Sequence, residues 1–173
     1  MKYIEAISRN WILSLIPAEG LDDNARTTVV LNQVAYDSAI DAFEQEMAEV
    51  VKKLKPEGFD EKMQRFALAL GVREATTDEE RKKAEELKED PEFPAFKERY
   101  DEVDRRAVEA RRKALDTREL EVCEYPLRDA LPAISRVLPV GVKRTVRRLD
   151  GAQFEADNQE IFTWVAAIAL KQK

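Results

Sequence analysis

Two heptad-spaced seams constrain this chain more than anything else in it. Tyr36, Ile40, Phe43, Met47, Val50 and Leu54 recur at intervals of 4-3-4-3-4. In "FPAFKERYDEVDRRAVEARRKAL", residues 93–115, Phe93, Phe96, Tyr100, Val103, Ala107, Ala110 and Ala114 recur at 3-4-3-4-3-4. Such spacing puts each set on one stripe of a helix, the pattern of a coiled-coil seam. No Gly or Pro interrupts the chain between Leu21 and Leu54. The second seam opens with aromatics and ends with alanines. An antiparallel pairing of 24–54 with 93–115 sets Leu54, Val50 and Met47 against Phe93, Phe96 and Tyr100. It sets Phe43, Ile40 and Tyr36 against Val103 and the alanines. Large side chains then face small ones, which keeps packing dense. Each large seam residue contributes roughly 1.5–3 kcal/mol on burial. The seams can pair within one chain or between two. The thinning leaves room for a third helix, which Trp11 or Trp164 could fill.

The remaining segments read as shorter elements of one domain, 1–173. Residues 2–16 suit a first helix ended by Pro17 and Gly20, and Asp22 or Asp23 can cap the second. Residues 55–92 form a helical insertion at the hairpin tip. In it Asp60 is expected to cap a short helix carrying Met63, Phe66 and Leu70, and Thr77 to cap a polar, exposed one. The C-terminal part, 119–173, begins with "ELEVCEYP". Its alternation of Leu120 and Val122 with Cys123 and Tyr125 predicts a strand paired with "LPVGV" at 138–142. "VKRTVRRL" is expected to be helical, with Val142, Val146 and Leu149 on one face. In the last helix, Asp157 and Glu160 have capping-box spacing. The expected fold is therefore mainly α. It is a coiled-coil-like antiparallel hairpin with extra short helices and at most a small two-stranded β element.

Charge is abundant and uneven. Charged residues make up 37% of the chain against 5 glycines, which points to long solvated helices. Residues 1–72 carry 8 basic and 12 acidic side chains, 73–124 carry 13 and 18, and 125–173 carry 8 and 5. The last part is thus basic on a chain whose net charge is −6, a polarity that can steer partners. One cysteine, Cys123, rules out an internal disulfide framework. The N-terminus is a poor signal peptide, and no apolar run approaches the ~20 residues a membrane span needs. A cytoplasmic protein without membrane contact is expected.

The chemistry is marked by absences. The chain has no histidine, which removes the commonest general base, Ser-His and Cys-His pairs and His-based metal sites. No glycine-rich loop resembles a phosphate cradle. A carboxylate-bridged metal bundle needs acids on the seams, and the seams are apolar. No catalytic residue, metal or cofactor is expected, and the chain reads as a non-enzyme. Two basic clusters remain. Arg105, Arg106, Arg111, Arg112 and Lys113 have acids at helical spacing and read as a salt-bridged surface. Lys143, Arg144, Arg147 and Arg148 have few acids beside them. On a helix they would form one positive stripe, for an acidic protein surface or for nucleic acid through phosphate contacts. No aromatic interleaves the stripe for base stacking.

The order of "MKYIEAI", a long helix, "FKERYDEVDRRAVEARRKAL", "ELEVCEYPL" and a terminal helix resembles a family of small uncharacterised helical-hairpin proteins encoded by tailed phages and prophages. The resemblance implies an accessory or assembly protein that works by contact, and it carries no catalytic residues. Insertion 55–92 and "KRTVRR" depart from the shorter family pattern. The expected function is protein–protein interaction or assembly through helical surfaces, with a protein partner or a second copy of the chain. The alternative is a nucleic-acid-binding accessory protein using residues 143–148.

Overall fold

The computed structural model describes residues 1–172. Among them are seven α-helices and one two-stranded antiparallel sheet. The residues cluster in two compact units, Met1–Glu44 with Thr117–Lys173, and Gln45–Asp116.

The first unit holds α1 (Tyr3–Ser14), the start of α2 (Asp23–Leu54), a 3-10 turn (Arg128–Ala130), α6 (Leu131–Val137), β1 (Lys143–Arg147), β2 (Gln153–Asp157) and α7 (Asn158–Lys171). Its core is built on Leu13, Tyr36, Leu127, Ile134, Ile161 and Val165, all fully buried. The helix starts follow the expected chemistry. The Asp22 carboxylate accepts from the Ala25 N–H at 2.9 Å. Asp157 and Glu160 form a complete capping box at the start of α7, satisfying two otherwise orphaned donors.

Two expectations for this unit are corrected. Residues 143–149 are not helical. Lys143–Arg147 pairs with Gln153–Asp157 in antiparallel register, Arg144 opposite Ala156 and Val146 opposite Phe154. β-Branched Val142, Thr145 and Val146 disfavour a helix, and Asp150-Gly151 is a hairpin signal. The Gly151 N–H donates to the Arg148 carbonyl at 3.0 Å and Arg148 N–H to the Ala152 carbonyl at 2.8 Å. Gly151 itself sits at φ +86°, the left-handed position that closes such a three-residue loop. Of the expected helical face only Val146 is buried, while Val142 is 44% and Leu149 59% exposed.

The second correction concerns 119–125. This segment forms no regular strand and does not pair with 138–142. Its alternation is real, with Leu120 buried, Val122 and Glu124 half-buried, and Glu121, Cys123 and Tyr125 exposed. The 3-10 turn and α6 that follow carry no helix signal strong enough to stand out between Pro126 and Pro139.

The second unit consists of the end of α2, α3 (Phe59–Phe66), α4 (Asp78–Lys88) and α5 (Phe93–Thr117). Phe59, Phe66, Phe93, Phe96 and Val103 form its core, with Leu54, Met63, Leu70, Leu87 and Tyr100 packed against them. Phe66 stands at the centre. Its ring centroid lies 5.4 Å from Phe93 and 5.5 Å from Phe96, spacings at which aromatic pairs attract. Phe66 and Leu70 thus pack with Phe93 and Phe96 at the start of α5. Thr77 caps α4 as expected, accepting from the Glu80 N–H. Asp60 does not cap α3. Gly58 holds that position at φ +72°, and Asp60, in the first turn, pairs with Lys55 at 2.7 Å. With Gly58 at the N-cap, Asp60 stands two residues on, inside the first turn, where its side chain cannot take the cap position.

Phe66→Ala should cost about 3–5 kcal/mol, read as a lower urea midpoint. Thr77→Ala, at an exposed cap, should cost about 1 kcal/mol.

Candidate functional site

The polar groups buried in the first unit are the natural place to look for chemistry. Arg9, on α1, is among the few buried charged residues. Its guanidinium donates to Glu5 at 2.6 Å and to Glu124. The Tyr36 hydroxyl donates to the same Glu124 oxygen. Burial opposes the charge on Arg9, but hydrogen bonds with Tyr36, Glu5 and Glu124 outweigh it and hold its pKa above the usual arginine value. Burial, then the bond to Glu124, pushes the Tyr36 phenol well above the usual tyrosine range. Such a phenol does not ionise near neutral pH, and an arginine in this state does not release a proton. The cluster is a fixed ion pair.

Asn32 completes the arrangement. It is fully buried. Its amide nitrogen donates to the Tyr125 carbonyl at 2.8 Å and to the Thr28 carbonyl at 2.9 Å. Its amide oxygen accepts from the Tyr125 N–H at 3.0 Å and from Gln172 at 3.2 Å. One side chain thus meets both backbone groups of Tyr125, as a neighbouring strand would. At the other end, Met1 and Leu120 exchange two backbone bonds, 2.7 and 3.0 Å long. The N-terminal amine also pairs with Glu119 at 2.7 Å, and together with Lys2 it holds that carboxyl below the usual glutamate range. Segment 119–125 is thus extended without a sheet, its backbone met at Tyr125 by Asn32 of α2 and at Leu120 by the N-terminus, while Arg9 of α1 holds the Glu124 side chain.

The basic residues fall differently from the expected stripe. On β1 the side chains alternate, so Lys143 and Arg147 lie exposed on one face with Thr145. Arg144 lies half-buried on the other face, beside buried Val146. The exposed face also carries Asp157 opposite Lys143 and Glu155 opposite Thr145. Arg148 lies in the turn, 3.7 Å from Asp150. Four cations in a row are thus not formed.

Sequence reasoning missed the aromatic surroundings of this hairpin. Trp11 of α1 and Trp164 of α7 lie with ring centroids 5.9 Å apart, and Phe154 of β2 lies 6.5 Å from Trp164. The Trp11 indole N–H donates to the Arg147 carbonyl at 2.9 Å. That bond joins residues 136 apart in sequence, so no local pattern announces it. The seam residues remain helical. Tyr36, Phe43, Met47, Phe96 and Val103 are buried, while Ile40, Val50, Leu54, Tyr100, Ala107, Ala110 and Ala114 are half-buried.

Among the described residues, no three Cys, Asp or Glu side chains gather to hold a metal ion, and no helix is long and apolar enough to cross a membrane. No protein-family model, curated protein or solved structure matches the chain.

Arg9→Met should leave Glu124 with an uncompensated charge and cost about 3 kcal/mol, the low end for a broken buried pair, because Glu124 keeps some contact with water. Tyr36→Phe tests the phenol. Its raised pKa stabilises the fold fully below the ordinary tyrosine value of 10.0, and that contribution is lost as pH rises above it. The stability gap between the native protein and Tyr36→Phe, measured by urea unfolding, should therefore hold up to about pH 10 and narrow steadily above it.

Proposed function

We propose that this protein acts by contact, as a non-enzymatic interaction or assembly protein whose two helical seams pair antiparallel, within a chain or between two copies. A phage or prophage accessory role in the cytoplasm belongs to the same reading. The observation that supports it best is the burial pattern of α5. Phe93, Phe96 and Val103 are buried, Tyr100 and the three alanines are half-buried, and nearly every position between them is exposed. A helix that buries one stripe and solvates the rest is built for side-by-side packing. Ion pairs along its polar flank, Lys97 with Asp101 at 2.6 Å and Arg106 with Glu102 at 2.7 Å, keep those charges on the helix itself.

The half-buried alanines still have surface to give up, and small side chains let another backbone come close. The Arg9 and Asn32 clusters support the same view, since their polar groups are engaged with one another and with backbone.

Ala110→Glu tests this reading. A carboxylate on the strip should destabilise the fold by about 1–3 kcal/mol, or lower the mass seen by light scattering if the strip joins two copies. Unchanged mass together with an unchanged melting temperature would overturn the proposal.

A further inference from the structure

The basic hairpin lacks aromatics in its own sequence, but the fold supplies them. Trp11 forms a wall shared by two surface grooves of about 340 Å³ each, at the small end of ligand-binding pockets. One groove is lined by Arg144, Arg147, Leu15 and Ile161. The other is lined by Ser8, Ile12, Arg148, Leu149 and the carboxylate-bearing Asp150. Arg147 presents its backbone carbonyl to the indole N–H, which fixes the ring between the two grooves.

The charges in these grooves are under-matched. Arg144 is half-buried on the helix-facing side of β1, and its side chain has no ion pair or hydrogen bond among the described residues. The Arg147 guanidinium likewise lacks an acid partner. A guanidinium drawn partly out of water without an anion carries an uncompensated desolvation cost. Its planar fork matches phosphate oxygens in particular. Arg148 has one acid, at the long distance of 3.7 Å. The grooves therefore combine a fixed indole and apolar floors with Arg144 and Arg147, from opposite faces of β1, bordering one and Arg148 bordering the other.

We propose that the grooves on either side of Trp11 bind a short single strand of nucleic acid, with phosphates on Arg144, Arg147 and Arg148 and a base against the indole. Single strands are bound by this combination, a cationic track with aromatic platforms. A paired duplex keeps its bases stacked and could not offer a face to Trp11. An acidic protein segment would satisfy the arginines and leave the indole and apolar floors without a matching group. This function goes beyond assembly through the seams and uses none of their residues.

The chain has two tryptophans, both in this cluster, so intrinsic fluorescence reports on the site alone. The full-length protein is titrated with a ten-nucleotide oligo-dT, and the expected result is saturable quenching. Neutralising two or three phosphates should lower the affinity about 7- to 18-fold between 50 and 200 mM salt. Arg144→Gln should weaken binding about tenfold, the size of one charge-assisted contact. Arg148→Gln, in the exposed turn, should weaken it several-fold without touching the fold. Lys83→Gln, on α4 of the other unit, should change nothing. Binding that ignores both arginine variants would overturn the proposal. So would equal quenching by poly-glutamate, which marks a general acidic surface, or equal affinity for free thymidine monophosphate, which marks a mononucleotide pocket.

Discussion

A stretch of extended backbone that no strand covers must find its hydrogen bonds elsewhere, and the first unit is organised around that need. Segment 119–125 runs between a long helix and a bundle of short ones. Left alone, its buried N–H and C=O groups would each cost about 1–3 kcal/mol. Asn32 meets both groups of Tyr125, and Met1 meets both groups of Leu120. The Arg9–Glu124–Tyr36 cluster fastens the side chain between these two points. Polar groups in a core are expensive unless fully matched. Those of Asn32, Arg9, Tyr36 and Glu124 are engaged with one another and with backbone, and they act as a clasp that fixes where the C-terminal third of the chain begins.

What the sequence displayed, and what it hid, follows from how far apart the cooperating residues lie. The long helices were legible because their apolar spacing repeats over about five turns. The caps at Asp22, Thr77 and Asp157 were legible because a cap involves neighbours within three residues. The alternation in 119–125 was legible too, but it marks extended backbone and not sheet pairing, since Asn32 stands 93 residues from Tyr125. In 142–149 two periods coexist. Val142, Val146 and Leu149 suit a helix, while Val142 and Val146 with Arg144 between them suit a strand. The Asp150-Gly151 turn and the partner strand at 153–157 decide it. The aromatic setting of the hairpin was invisible because Trp11 and Trp164 come from opposite ends of the chain.

The same division separates the two surfaces proposed to meet partners. The seam on α5 is a property of one helix, readable from spacing, and it suits contact with another helix. The grooves beside Trp11 are a property of the folded first unit, made where α1, α7 and the β hairpin meet. Unifying the two is the absence of histidine and the commitment of Arg9, Glu124 and Tyr36 to each other. The charged groups deepest in the protein hold structure.

Amide hydrogen exchange at Tyr125 and Leu120 tests the central claim most directly. Both N–H groups should be strongly protected in the native protein, and Asn32→Ala should release Tyr125 while leaving Phe66 of the second unit protected. Exchange of the Tyr125 amide at the rate of an open chain in the native protein, or protection unchanged by Asn32→Ala, would contradict the account.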